Sequence, residues 1–116
     1  MKTRLLLSIP SLIFLFSVAA LPSACSDSAV QTEARFLVDV RTPGEFAEGS
    51  APGAVNIPLD EIESRLDEFR DKGEIVVMCR SGNRSRQAKM ILEKHGFSNV
   101  IDGGPWQQAA QKYQSN

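Results

Sequence analysis

The feature that most constrains this chain is the uninterrupted apolar run Ile75-Val-Val-Met78, which ends at Cys79 and gives way to Arg80-Ser-Gly-Asn-Arg84. A strand with one wet face alternates polar and apolar residues, whereas a continuous β-branched run is apolar on both faces. The sheet that holds it must therefore be covered above and below. Other segments agree. Phe36-Leu-Val-Asp-Val40, Ala54-Val-Asn-Ile57 and Asn99-Val-Ile101 are further short strands, the second closed by Pro58 and preceded by a Pro52-Gly53 turn. Helices fall between them. Thr42-Pro-Gly-Glu45 opens a short one, with proline in its first turn. Leu59 to Phe69 has Leu59, Ile62, Leu66 and Phe69 on one face and Asp60, Glu61, Glu63, Asp67 and Glu68 elsewhere, with Gly73 as its stop. Ser85 to His95 is a third, with Ala88, Ile91 and Leu92 apolar and Gly96 at its end. Gly103-Gly104 reads as a turn, and Pro105 to Tyr113 as a last helix. The class is α/β, a parallel sheet with helices on both faces.

A chain of 116 residues allows one such domain. Its first two dozen residues read as something else. Lys2 and Arg4 precede Leu5 to Ala20, which carries no charge, and Ala19, Ala20, Ser23 and Ala24 are small. That is the layout of a secretory signal peptide over residues 1–24. A retained membrane helix is the alternative, weakened by Pro10, Pro22 and the lack of a following basic cluster. Leu21-Pro-Ser-Ala-Cys25 also resembles a bacterial lipobox, with the large apolar residue one place too early, so Cys25 is a candidate for lipidation. Residues 25–34 read as a flexible tether and 35–116 as the folded domain. The expected location is periplasmic or exported, with membrane contact only if Cys25 is lipidated or the signal is retained. Beyond residue 24 there remain eleven bases and fourteen acids, a mild acidity that gives no reason to expect nucleic acid. A Cys25–Cys79 disulfide would staple little and would block chemistry at Cys79.

The chemistry concentrates where the buried strand meets the next helix. In open α/β sheets, sites gather beyond the carboxyl ends of strands, and Cys79 stands at such an end. The helix predicted from Ser85 turns its unpaired N–H groups and positive dipole end toward the loop. Gly82 permits backbone conformations that let successive amides converge on an anion. Arg80, Arg84, Arg86 and Lys89 add positive charge. Each feature alone is ordinary, since a cysteine ending a strand is often a small hydrophobe. Together they predict a thiol ionised well below its free value.

The loop Cys79-Arg-Ser-Gly-Asn-Arg84-Ser resembles the active-site loop of the rhodanese family. Val38-Asp-Val-Arg41, Pro43 with Glu45 and Phe46, Pro52-Gly-Ala-Val-Asn-Ile-Pro58 and Gly103-Gly104 follow the family's order, so the resemblance covers about residues 35 to 105. It is similar to the small single-domain periplasmic members of the phage-shock type. The resemblance implies a rhodanese-like domain and a ping-pong transfer in which Cys79 takes sulfane sulfur from an anionic donor such as thiosulfate. The persulfide then passes it to cyanide, a thiol or a protein. Arg80, Ser81, Gly82, Asn83, Arg84 and Ser85 are implied to bind substrate. Asp39 and Arg41 brace the site, no metal or organic cofactor is required, and a monomer is expected. Three departures stand out. Ser50 occupies a place where the family often has histidine. His95, the one histidine, lies at the far end of a helix and reads as a surface residue. Trp106 comes earlier after the glycine pair than in many relatives, which favours core packing.

Two rivals differ in chemistry. A cysteine-based phosphatase or arsenate reductase shares the fold but needs arginine six places after the cysteine, where this chain has Ser85. A non-catalytic persulfide carrier or sensing module would keep the same cysteine, and only turnover separates it from an enzyme.

Overall fold

The computed structural model describes residues 35–113. The expected signal peptide, the tether and Cys25 lie outside the described residues. Four parallel strands form one sheet in the order β2-β1-β3-β4: β1 Phe36–Asp39, β2 Val55–Asn56, β3 Ile75–Cys79 and β4 Val100–Pro105. Among the described residues, three α-helices follow in chain order: α1 Pro43–Glu48, α2 Asn83–Lys94 and α3 Trp106–Tyr113.

Strand parity assigns the faces. Ile75, Val77 and Cys79 of β3 join Val38, Val40, Ile62, Phe69, Ala88 and Leu92 in the larger core, under α2. Val76 and Met78 point the other way, to Leu37, Ala109, Ala110 and Tyr113 of the α3 side. All five β3 residues are buried, as the apolar run demands. Helices thus cover both faces. Among the described residues, no helix is long and apolar enough to cross a membrane.

Several boundaries differ from the sequence reading. The stretch from Leu59 to Phe69 is two 3₁₀ helices, Leu59–Ser64 and Leu66–Phe69, that meet at Arg65. The apolar spacing explains it: Leu59 to Ile62 and Leu66 to Phe69 are steps of three, the 3₁₀ repeat, and the step of four falls on the break. Asp71, at φ 57, takes the left-handed conformation where the segment ends, so the stop precedes Gly73. Gly103-Gly104 is not a turn but part of β4, at a register shift where Val77 pairs with Asp102 and Met78 with Gly104. Gly103 sits there because a Cβ would lie 2.9 Å from Val76 Cγ1 and 3.0 Å from the Val77 carbonyl oxygen. That close approach lets α3 pack on the sheet.

Most consequential, α2 begins at Asn83, two residues before the expected Ser85, with Gly82 as its N-cap at φ 92. The first turn of the helix is therefore built from the loop itself.

Candidate active site

Parity on β3 sends the Cys79 side chain to the α2 side, where it is fully buried. The chain then folds back over it. Gly82, in a left-handed conformation that few other residues adopt, aims its N–H at Cys79 Sγ at 3.0 Å. Ser85, also fully buried, places Oγ 3.6 Å from the sulfur. Its hydroxyl donates to Asp102 Oδ1 at 2.6 Å, and the Gly82 carbonyl oxygen lies 3.1 Å away. Asp102 Oδ1 also accepts from the Gly104 N–H at 3.0 Å, which ties the bulge of β4 to the start of α2.

Two opposing influences act on the thiol. Burial pushes it up, because a thiolate loses hydration. The amide and hydroxyl of Ser85, with the amides of Gly82 and Ser81, pull it down and prevail, so the thiol lies below its ordinary value of 9.0. The largest downward influences come from the helix start, and Arg84 also interacts with the Cys79 charge. Arg86 is exposed and donates to Asn83 Oδ1 at 3.2 Å, and Lys89 pairs with Glu93 at 3.6 Å. Arg80 and Ser81 are exposed, and Asn83 faces solvent on the first turn of α2.

Arg84 is engaged. Its guanidinium donates to both oxygens of Glu45, Nη1 to Oε2 at 2.8 Å and Nη2 to Oε1 at 2.9 Å. Glu45 is fixed in turn by the start of α1, where Thr42 caps the helix. The Thr42 N–H donates to Glu45 Oε2 at 3.0 Å, and the Glu45 N–H to Thr42 Oγ1 at 3.3 Å. The Arg84 bonds and the Thr42 N–H hold the Glu45 carboxyl at about 2, against an ordinary 4.5. Sequence reading saw Glu45 as part of a helix start and of the family's motif order, and gave it no role in the site. The capping box Thr42-x-x-Glu45 is a local signal, but a partner 39 residues away is not.

Asp39 and Arg41 form a buried pair beside this site, Nη2 to Oδ2 at 2.7 Å. Ser50, standing where the family often has histidine, donates to Asp39 Oδ2 at 2.6 Å. Arg41 also donates to the Gly49 carbonyl oxygen at 2.6 Å. Its guanidinium lies 5.2 Å from the Trp106 ring centre, a cation–π arrangement. Trp106 is half-buried and has two roles: it packs on the α3-side core and walls a cavity of about 250 Å³ with Arg41, Glu45, Glu48, Arg80 and Gln107. Core packing alone was too narrow a reading. A second cavity, of about 570 Å³, lies between Leu59, Asp60 and Glu63 on one side and Arg84, Gln87 and Ile91 on the other. His95 is at the surface, 3.7 Å from Glu63.

A cysteine held below its ordinary pKa at the carboxyl end of a central parallel strand, with the Gly82 amide on its sulfur, defines an α/β protein with a candidate reactive thiol at that strand end. Residues 19–104 match the rhodanese-like domain, and the chain belongs to the rhodanese-like sulfurtransferase family. It is 41% identical over 69 residues to the putative sulfur carrier protein YrkF of Bacillus subtilis, covering 60% of this chain and 37% of that one. It is 39% identical over 69 residues to the thiosulfate sulfurtransferase PspE of Escherichia coli, covering 58% of this chain and 66% of that one. The chain thus spans about a third of the first relative and two-thirds of the second. A solved structure of a rhodanese with anions from E. coli superposes with a TM-score of 0.60 at 35% identity, over 65% of this chain and 91% of that one.

Proposed function

We propose that this protein moves sulfane sulfur from thiosulfate or a similar donor to a thiophilic acceptor through a persulfide on Cys79. The observation that carries the reading is the buried Cys79 sulfur receiving the Gly82 N–H at the start of α2. In the first half-reaction the Cys79 thiolate attacks the terminal sulfur of thiosulfate. The new S–S bond forms as the old one breaks, and sulfite departs with the electron pair. The persulfide left on Cys79 is an anion at neutral pH, and the amides of Ser81, Gly82 and Ser85 stabilise it as an oxyanion hole stabilises an alkoxide. In the second, cyanide or a thiolate attacks the outer sulfur and regenerates the Cys79 thiolate. Arg80, Ser81, Gly82, Asn83, Arg84 and Ser85 form the binding loop in this reading, and Asp39 with Arg41 supports it from below.

Cys79→Ser is expected to fold normally and to transfer no sulfur, because the hydroxyl neither ionises at working pH nor holds sulfane sulfur. Retained thiosulfate-to-cyanide activity in that variant would end the assignment. A carrier role is the second reading, favoured by the similarity to a protein named as a putative sulfur carrier. Repeated turnover with a small thiol acceptor supports the enzyme, and a single stoichiometric transfer supports the carrier. Export is part of the proposal, on the strength of residues 1–24. Intact mass of the cell-purified protein tests it by giving the first residue and any lipid on Cys25.

A further inference from the structure

Two arginines near the Cys79 loop are neutralised by carboxylates, Arg41 by Asp39 and Arg84 by Glu45. Arg80 and Glu48 line the smaller cavity with Arg41 and Glu45. Arg84, tied to Glu45, thus presents little net positive charge to an incoming anion. Glu45 is the member that decides this. The Thr42 N–H, the Thr42 hydroxyl and both Arg84 nitrogens bond its carboxylate, and its carboxyl at about 2 keeps it charged through the working pH range. The pair also stands between the two cavities, Glu45 in the wall of one and Arg84 in the wall of the other.

We propose that Glu45 determines donor specificity: by holding Arg84 it sets the Cys79 site against dianionic donors such as thiosulfate and in favour of neutral or singly charged hydropersulfides. The proposal rests on Cys79 being the sulfur acceptor. With a hydropersulfide R–S–SH, the Cys79 thiolate attacks the outer sulfur, the inner S–S bond breaks and R–S⁻ leaves with the electron pair. Cys79 then carries –S–SH, which gives up its proton to solvent to become the persulfide anion, and no oxidant or reductant is needed. The site binds one or two fewer negative charges than with thiosulfate, so the neutralised Arg84 costs less. A dianion meets the loop amides and the exposed Arg80 and Arg86, without the free charge of Arg84.

The test uses the full chain and Glu45→Gln. Glutamine also completes a capping box, so the start of α1 is kept while the charge on Arg84 is released. The rate of Cys79 persulfide formation, read by rapid quench and intact mass, is followed against thiosulfate and against 2-hydroxyethyl hydropersulfide. Glu45→Gln is expected to lower the half-saturating thiosulfate concentration about tenfold, the effect of one freed charge near a surface. The value for the hydropersulfide is expected to stay within about twofold. Added salt is expected to weaken the thiosulfate gain, which a loosened helix would not explain. Glu45→Gln combined with Arg84→Gln is expected to return thiosulfate to the wild-type value. An unchanged thiosulfate value, an equal gain for both donors, or a gain that persists in the double variant overturns the inference alone. No persulfide on Cys79 from either donor overturns the sulfur-transfer reading and the inference with it.

Discussion

The Cys79 sulfur illustrates how one atom's chemistry is set by competing short-range effects. Burial disfavours the thiolate, and hydrogen bonds from the start of α2 more than offset it. The pH dependence follows from that direction. Sulfur uptake is expected to rise through an ionisation below 9.0, and the activity-bearing thiolate is lost only as pH falls through this lowered value. The folded pKa lies below the unfolded one, so the same group adds stability that is full above the unfolded value and fades as pH drops through the folded one. Ser85→Ala removes the hydroxyl 3.6 Å from the sulfur. It is expected to move the limb back up, measurable as thiolate absorbance or alkylation rate against pH. A limb that moved down would mean that Asp102, which takes the hydroxyl's proton at 2.6 Å, governs the group instead.

At the scale of elements, α2 is the working part, and its first residue is set by one backbone angle. Gly82 at φ 92 caps the helix and turns its own N–H to the sulfur. A Cβ there would meet Gly104 Cα at 3.6 Å, ordinary contact, so the cost of alanine is conformational and not a clash. Gly82→Ala is expected to destabilise the fold by about 1–2 kcal/mol in urea unfolding and to raise the Cys79 pKa as the amide swings away. Gly103 is a contrasting case, because a side chain there strikes β3 backbone and α3 at once. The buried Asp39–Arg41 pair is a third kind of element joint, linking the end of β1 to the loop after α1 through Ser50 and Gly49.

The whole molecule is held shut at the end away from the site by an aromatic cluster. Phe69 is buried and meets Phe36 and Phe97 edge-on, with ring centres 5.8 and 6.1 Å apart. These residues come from β1, from the second 3₁₀ helix and from the segment after α2, so the cluster joins three distant parts of the chain. Phe69→Ala is expected to cost about 3–5 kcal/mol, seen as a drop in Tm of roughly 15 °C or more for a domain of this size. Cys79 persulfidation below the new Tm is expected to persist, since the aromatic partners of Phe69 are Phe36 and Phe97 and not residues of the loop.

Local pattern alone determined the strands, the covered parallel sheet and the cysteine at the strand end. Apolar periodicity reflects burial directly, and the loop motif lies within seven consecutive residues. The spacing of Leu59, Ile62, Leu66 and Phe69 named the buried face correctly, yet steps of three and four suit an α-helix as well as a broken 3₁₀ pair. Asn83 was misread as loop because a helix started by a left-handed glycine has no side-chain cap to announce it. The pairing of Arg84 with Glu45, the hydrogen bond from Ser85 to Asp102 and the place of Trp106 beside Arg41 were decided by tertiary structure. Each joins residues far apart in the chain, and the strength of a charge depends on what stands within a few ångströms of it, which no local window contains.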